Sequence, residues 1–160
     1  MNPLMLATDG SPSAAAATGT AIELAAALGA PIVIVSCWEI AYPGLGIGAS
    51  IVPDVDRVEQ QQAEEVVERV ADEARAAGVA TMTFVRHGDP ARQICRLASE
   101  RDARLIVVGS HGWGALRRLV FGSVSTGVLH HAKQPVLVVP SRPAAAATNG
   151  RLRRVEGGVR

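Results

Sequence analysis

Residues 105–127 read LIVVGSHGWGALRRLVFGSVSTG, and three changes of character inside them decide the fold. An apolar run, Leu105–Val108, gives way at Gly109 to a glycine-rich stretch, and a helical pattern begins near Ser123 and runs toward His131. The run is continuously apolar, which suits a strand covered by helices on both faces. Such a strand, followed by a connection and a helix, is the repeating unit of a parallel α/β sheet.

The same unit recurs outward from this segment. Apolar runs at Leu4–Thr8, Ile32–Cys37, Thr81–Val85 and Val136–Val139 alternate with helical segments. The first helix has Ser11 as N-cap, Pro12 at its first position and Gly29 as its stop. A second, from about Asp54 to Ala77, carries Val55, Val58, Val66, Val70 and Ala74 at three- and four-residue spacings, with Gly78 beyond its end. Asp89-Pro90 repeats the cap-plus-proline signal, and Ile94, Leu97 and Ala98 form the buried stripe of the third helix. The stretch Ala41–Pro53 (AYPGLGIGASIVP) is too rich in Gly and Pro for a helix and reads as a flexible lid. After Pro140, AAAATNG and RLRRVEGGVR hold few core-building groups, so residues 141–160 are expected to form a disordered basic tail. Such a tail is either simply solvated or makes electrostatic contact with an acidic partner or nucleic acid.

At 160 residues the chain suits one compact domain. With 48% hydrophobic residues but only 3% aromatic, its core should be aliphatic, and a net charge of +1 gives no global field, so any anion site must be local. Cys37 and Cys95 have no partners at zinc spacing, and a disulfide framework is not indicated. The start MNPLMLATDG has neither a basic leader nor an apolar stretch of signal length. No run approaches the roughly 20 apolar residues of a membrane span. A soluble cytoplasmic protein is the expectation.

The glycine-rich stretch carries the chemistry. It leaves the carboxyl end of a strand, where open parallel sheets bind ligands at the point of strand-order reversal. Glycines let the backbone approach a ligand, while serine hydroxyls, backbone N–H groups and the helix start at Gly122-Ser123 can donate to phosphate. The stretch contains no lysine, which excludes the P-loop GxxxxGK[ST], and no GxGxxG follows the first strand. Donors must therefore be amides and hydroxyls, with Arg117 or Arg118 either joining them or facing solvent or a partner. Asp9, in Thr8-Asp9-Gly10-Ser11, could accept from a ribose or hold magnesium on phosphates, or could simply shape the turn.

The spacing Gly109-x-x-Gly112, nine residues, then Gly122-Ser123 resembles the nucleotide-binding signature of the universal stress protein family. Asp9-Gly10-Ser11, Gly88-Asp89-Pro90 and the closing Pro135–Val139 agree with that family, and the resemblance covers about residues 3–140. It implies a single open five-stranded parallel sheet of order 3-2-1-4-5, Rossmann-like, with helices on both faces and ATP between strands one and four. By motif position it implies that Ala7 and Asp9 border the adenosine and that Cys37 lines the adenine pocket, where the family usually has an aliphatic residue. Gly109, Ser110, His111, Gly112, Gly122, Ser123, Val124 and Ser125 would then meet phosphates or ribose. ATP with magnesium, or cyclic AMP, is the implied ligand, and antiparallel contact between the fifth strands of two subunits the implied homodimer.

Hydrolysis needs a group that activates or orients water and another that stabilises the transferred phosphoryl. His111 in a glycine-rich turn more readily positions a phosphate; His130 and His131 suit a helix end, and His87 shows no partner. At most slow ATP hydrolysis is expected. The leading expectation is a nucleotide-binding stress-response or regulatory protein. A partner-binding scaffold on the same fold is the alternative. A phosphorylated receiver domain is set aside, because Asp9 stands alone and the third strand leads into Arg86-His87-Gly88 instead of an acceptor aspartate.

Overall fold

The structure, a computed structural model, describes residues 1–39, 52–110 and 122–140, the side chains of residues 52–55 excepted. Nine elements alternate: β1 (Leu4–Ala7), α1 (Pro12–Leu28), β2 (Ile32–Trp38), α2 (Val52–Ala76), β3 (Thr81–His87), α3 (Pro90–Glu100), β4 (Leu105–Gly109), α4 (Ser123–His131) and β5 (Val136–Val139). The strands form one parallel sheet in the order β3-β2-β1-β4-β5, the α/β architecture that the sequence and its resemblance imply.

Two aliphatic layers cover the sheet. On one face Leu4, Leu6, Ile32, Ile34 and Val107 pack against Ala17, Ala21 and Ala25 of α1 and Val67, Val70, Ala71 and Ala74 of α2. On the other, Met5, Ala7, Val33, Val35, Ile106 and Val108 meet Ile94, Leu97 and Ala98 of α3 and Val128 of α4. Each fully buried aliphatic side chain contributes about 1.5–3 kcal/mol, so these layers carry the stability. Small residues on α1 let that helix lie close to the strands.

The caps read from sequence are formed. Ser11 Oγ accepts from the Ala14 N–H, Asp89 accepts from the Arg92 N–H, and Gly29 closes α1 in the left-handed region at φ 59°. Strand ends move by a residue or two, as hydrogen-bond boundaries do.

Helix α2 departs from its expected stripe. Ala63, Val67, Val70, Ala71 and Ala74 are buried, whereas Val58 is 49% exposed. Length explains this: 25 residues at about 1.5 Å make a helix of about 37 Å, against about 23 Å for the 7 residues of β2 or β3. Residues 57–62 are exposed and Ala63 is the first buried residue of α2, so among the described residues the amino-terminal turns lie beyond the core. The lid expected at residues 41–53 falls largely, and the tail 141–160 wholly, outside the described residues. No helix among the described residues is long and apolar enough to cross a membrane.

Candidate functional site

After β1 the chain builds outward to β2, and after β3 it crosses to β4 on the other side of β1. The order therefore reverses between β1 and β4, whose carboxyl ends lie side by side with Ala7 opposite Val108. A ligand crevice is expected beside the carboxyl ends at such a reversal.

On the β1 side, the Thr8 N–H donates to the Val35 carbonyl at 3.0 Å and keeps the turn in line with the sheet. Two local bonds then fold the turn: the Ser11 N–H donates to Asp9 Oδ1 at 3.0 Å, and the Gly10 N–H to Thr8 Oγ1 at 3.2 Å. Asp9 is thus a turn-shaping carboxylate that is also exposed at the crevice. Gly10 takes φ 72°, which a side chain rarely adopts.

On the β4 side, the Ser110 N–H donates to Val139 at 2.8 Å, and the Ser110 carbonyl accepts from the Gly122 N–H at 2.7 Å. Ser125 is 2% exposed, and its single hydroxyl hydrogen is shared between the carbonyls of Gly122 at 3.0 Å and Ser110 at 3.2 Å. The two ends of segment 111–121 are therefore tied together. Segment 111–121, with His111, Gly112, Trp113, Arg117 and Arg118, lies outside the described residues.

Gly122 is the N-cap of α4 and, lacking a side chain, forms no side-chain cap bond. The first amides of a helix have no intrahelical acceptor. Here those are the amides of Ser123, Val124 and Ser125, and the Ser123 and Val124 side chains are exposed. The helix dipole adds a positive partial charge at this point. Ser123 can offer both amide and hydroxyl; the Ser125 hydroxyl is spent on the frame, leaving its amide.

Ala7 and Cys37 belong to the same sheet face as α4. Ala7 pairs with Val35, two residues before Cys37, so the two share a sheet face at the carboxyl ends of β1 and β2. The Cys37 thiol lies 4.0 Å from the Pro90 carbonyl. Burial pushes its pKa up to about 12; Arg86, its register partner on β3, pulls the value down, and Asp89 adds to the rise. This thiol is neutral and apolar in character at physiological pH.

Some neighbours had no sequence signal. Arg86 and Asp89 flank Cys37 only because β2 and β3 run in register and α3 starts there. Trp38 and His87 are register partners whose rings lie 4.3 Å apart, so His87 does have a partner. Among the described residues no group of three His, Cys, Asp or Glu side chains is placed to hold a metal.

A sequence model of the Universal stress protein family matches residues 1–140. A universal stress protein of Mycobacterium bovis is 34% identical over 141 residues, which cover 85% of this chain and 44% of the relative. The chain thus spans less than half the length of that relative. A solved universal stress protein in complex with cAMP is 27% identical with a TM-score of 0.66, covering 88% of this chain and 98% of its own. The universal stress protein from Archaeoglobus fulgidus in complex with dAMP is 25% identical with a TM-score of 0.62, covering 87% and 98%.

Proposed function

We propose, from the premise that this chain belongs to the universal stress protein family, that it binds an adenine nucleotide, ATP foremost with cyclic AMP as competitor, and acts as a regulatory stress-response protein. The observation that carries this reading is the α4 amino terminus, without a side-chain cap, tied through Gly122 to Ser110 at the end of β4, which pairs with the strand that leads into Asp9. Solved relatives in complex with cAMP and dAMP support the choice of an adenine ligand.

Each residue takes a role that its place allows. Ala7 and the neutral thiol of Cys37 offer an apolar wall to the base. Asp9 accepts from the ribose, or holds magnesium that arrives on the phosphates. Gly109, His111, Gly112 and Gly122 give the phosphates close backbone approach, and Ser123, Val124 and Ser125 donate through amides, Ser123 also through its hydroxyl. Ser110 and Ser125 tie the loop ends. With amides in place of a P-loop lysine, the site suits holding a nucleotide better than rapid phosphoryl transfer. Residues 1–140 form the binding domain, a second copy pairs along β5, and the free thiols suit the cytoplasm.

The test is to release any ligand carried through purification, identify it by mass spectrometry, and then titrate ATP against the fluorescence of Trp38 and Trp113. A carried-over or saturably bound adenine nucleotide is the expected result. A chain that yields neither is the partner-binding scaffold instead.

A further inference from the structure

Helix α2 has no part in the site described so far, yet it touches the turn that presents Asp9. A Cβ built on Gly10 would stand 2.6 Å from Val66 Cγ2, 3.3 Å from Val66 Cγ1 and 3.0 Å from Arg69 Nη2. The left-handed φ of 72° alone would admit an asparagine or aspartate. Contact with α2 leaves no room for a Cβ unless Val66 or the turn itself shifts, since 2.6 Å is far inside carbon–carbon contact. The cleft beside this contact, about 110 Å³, is walled by Thr8, Gly10 and Ser11 of the turn and by Arg69, Val70 and Glu73 of α2.

The approach comes from behind. Val67 and Val70 of α2 cover the sheet face of Leu4 and Leu6, whereas Ala7 and Cys37 lie on the opposite face. The two hydrogen bonds inside the turn link Asp9 to Ser11 and Thr8 to Gly10, so a displacement of Gly10 carries the Asp9 carboxylate with it. We infer that Val66, with Arg69 beside it, is a positioning residue of the nucleotide site: α2 seats the β1–α1 turn against the sheet and so sets where Asp9 stands. This rests on the nucleotide-binding reading above. Because coupling is reciprocal, nucleotide occupancy bears on α2 through the same contact.

The test compares wild type, Val66→Ala, Gly10→Ala and the double variant, each checked for folding by far-ultraviolet circular dichroism. Dissociation constants are measured for ATP, 2′-deoxy-ATP and 3′-deoxy-ATP. Val66→Ala is expected to weaken ATP about three- to tenfold, within the range of coupling between residues in contact. It should also shrink the preference for ATP over the deoxy form that lacks the hydroxyl held by Asp9, a ratio that general loss of stability does not move. Gly10→Ala should weaken ATP further, and adding Val66→Ala should recover part of that loss by vacating the space. An unaltered ATP-to-deoxy ratio in Val66→Ala, or strictly additive losses in the double variant, overturns the inference. If Gly10→Ala does not fold, the ratio in Val66→Ala decides. A wild-type chain that binds none of the three sinks the function reading and this inference with it; wild-type binding that Val66→Ala leaves unchanged sinks this inference alone.

Discussion

Cys37 shows how one side chain takes its chemistry from its surroundings. A thiol that folding makes less acidic is neutral in both folded and unfolded chains below its ordinary value of 9.0, so it does not alter stability there. Above that value the unfolded chain releases the proton while the folded chain holds it until about 12, and stability falls as pH rises through this window. The slope for one proton is at most about 1.4 kcal/mol per pH unit, less here because the side chain is only half-buried. Cys95 is shifted upward as well, first by burial and then by Asp89. Replacing Cys37 with valine, close in size and apolar, should leave stability at pH 8 nearly unchanged and make the decline between pH 9 and 11 shallower, with Cys95 supplying what is left. Urea midpoints across that range check it, and identical alkaline slopes in the two proteins refute it. Little of this was legible in sequence. Cys37 could be placed at a strand end, but Arg86 and Asp89 become its neighbours only through strand register and the start of α3.

At the scale of elements, α3 and α4 approach each other at Gly127, where an added Cβ would stand 2.6 Å from the Ala91 Cβ. Alanine usually gains up to about 1 kcal/mol over glycine inside a helix. Here the gain is opposed by overpacking of about 1–3 kcal/mol, so Gly127→Ala should destabilise the protein. Adding Ala91→Gly moves the methyl from one helix to the other and should recover most of the loss, read as urea midpoints of the two single variants and the double. Equal stability of Gly127→Ala and wild type would show that the helices separate freely. Helix ends proved more legible than helix faces. Ser11, Gly29 and Asp89 act locally, and a local signal suffices to name them. Val58 fails because periodicity reports which residues share a face without reporting where the sheet beneath it stops. The site divides in the same way. Gly122 and Ser123 were readable as a helix start, whereas the contact of α2 with Gly10 joins segments more than fifty residues apart and leaves no mark beyond the glycine itself.

The whole molecule presents two sheet edges, β3 and β5, and the second bears on assembly. All four residues of β5 are only half-buried and strongly apolar, and an edge of that kind favours pairing with another chain. Which backbone groups face outward follows from the ladder. The Ile106 N–H donates to the Pro135 carbonyl and the Ser110 N–H to Val139, so the backbone groups of residues 135, 137 and 139 point inward to β4. In a parallel pair the N–H and C=O of one residue point the same way. Those of Val136 and Val138 therefore face outward and are the groups a second β5 would meet. Val138→Pro removes an outward donor while leaving every bond to β4 in place, in the edge position where proline is tolerated. Light scattering of the wild-type chain is expected to give twice 16.6 kDa, and Val138→Pro should lower it toward the monomer with the circular dichroism spectrum retained. Adenine-nucleotide affinity should change little, because the bond from the Ser110 N–H to Val139, which joins β5 to the β4 side of the site, lies on the inward side. A wild-type chain that is monomeric at all working concentrations removes the β5 dimer, and a variant that stays dimeric places the interface elsewhere.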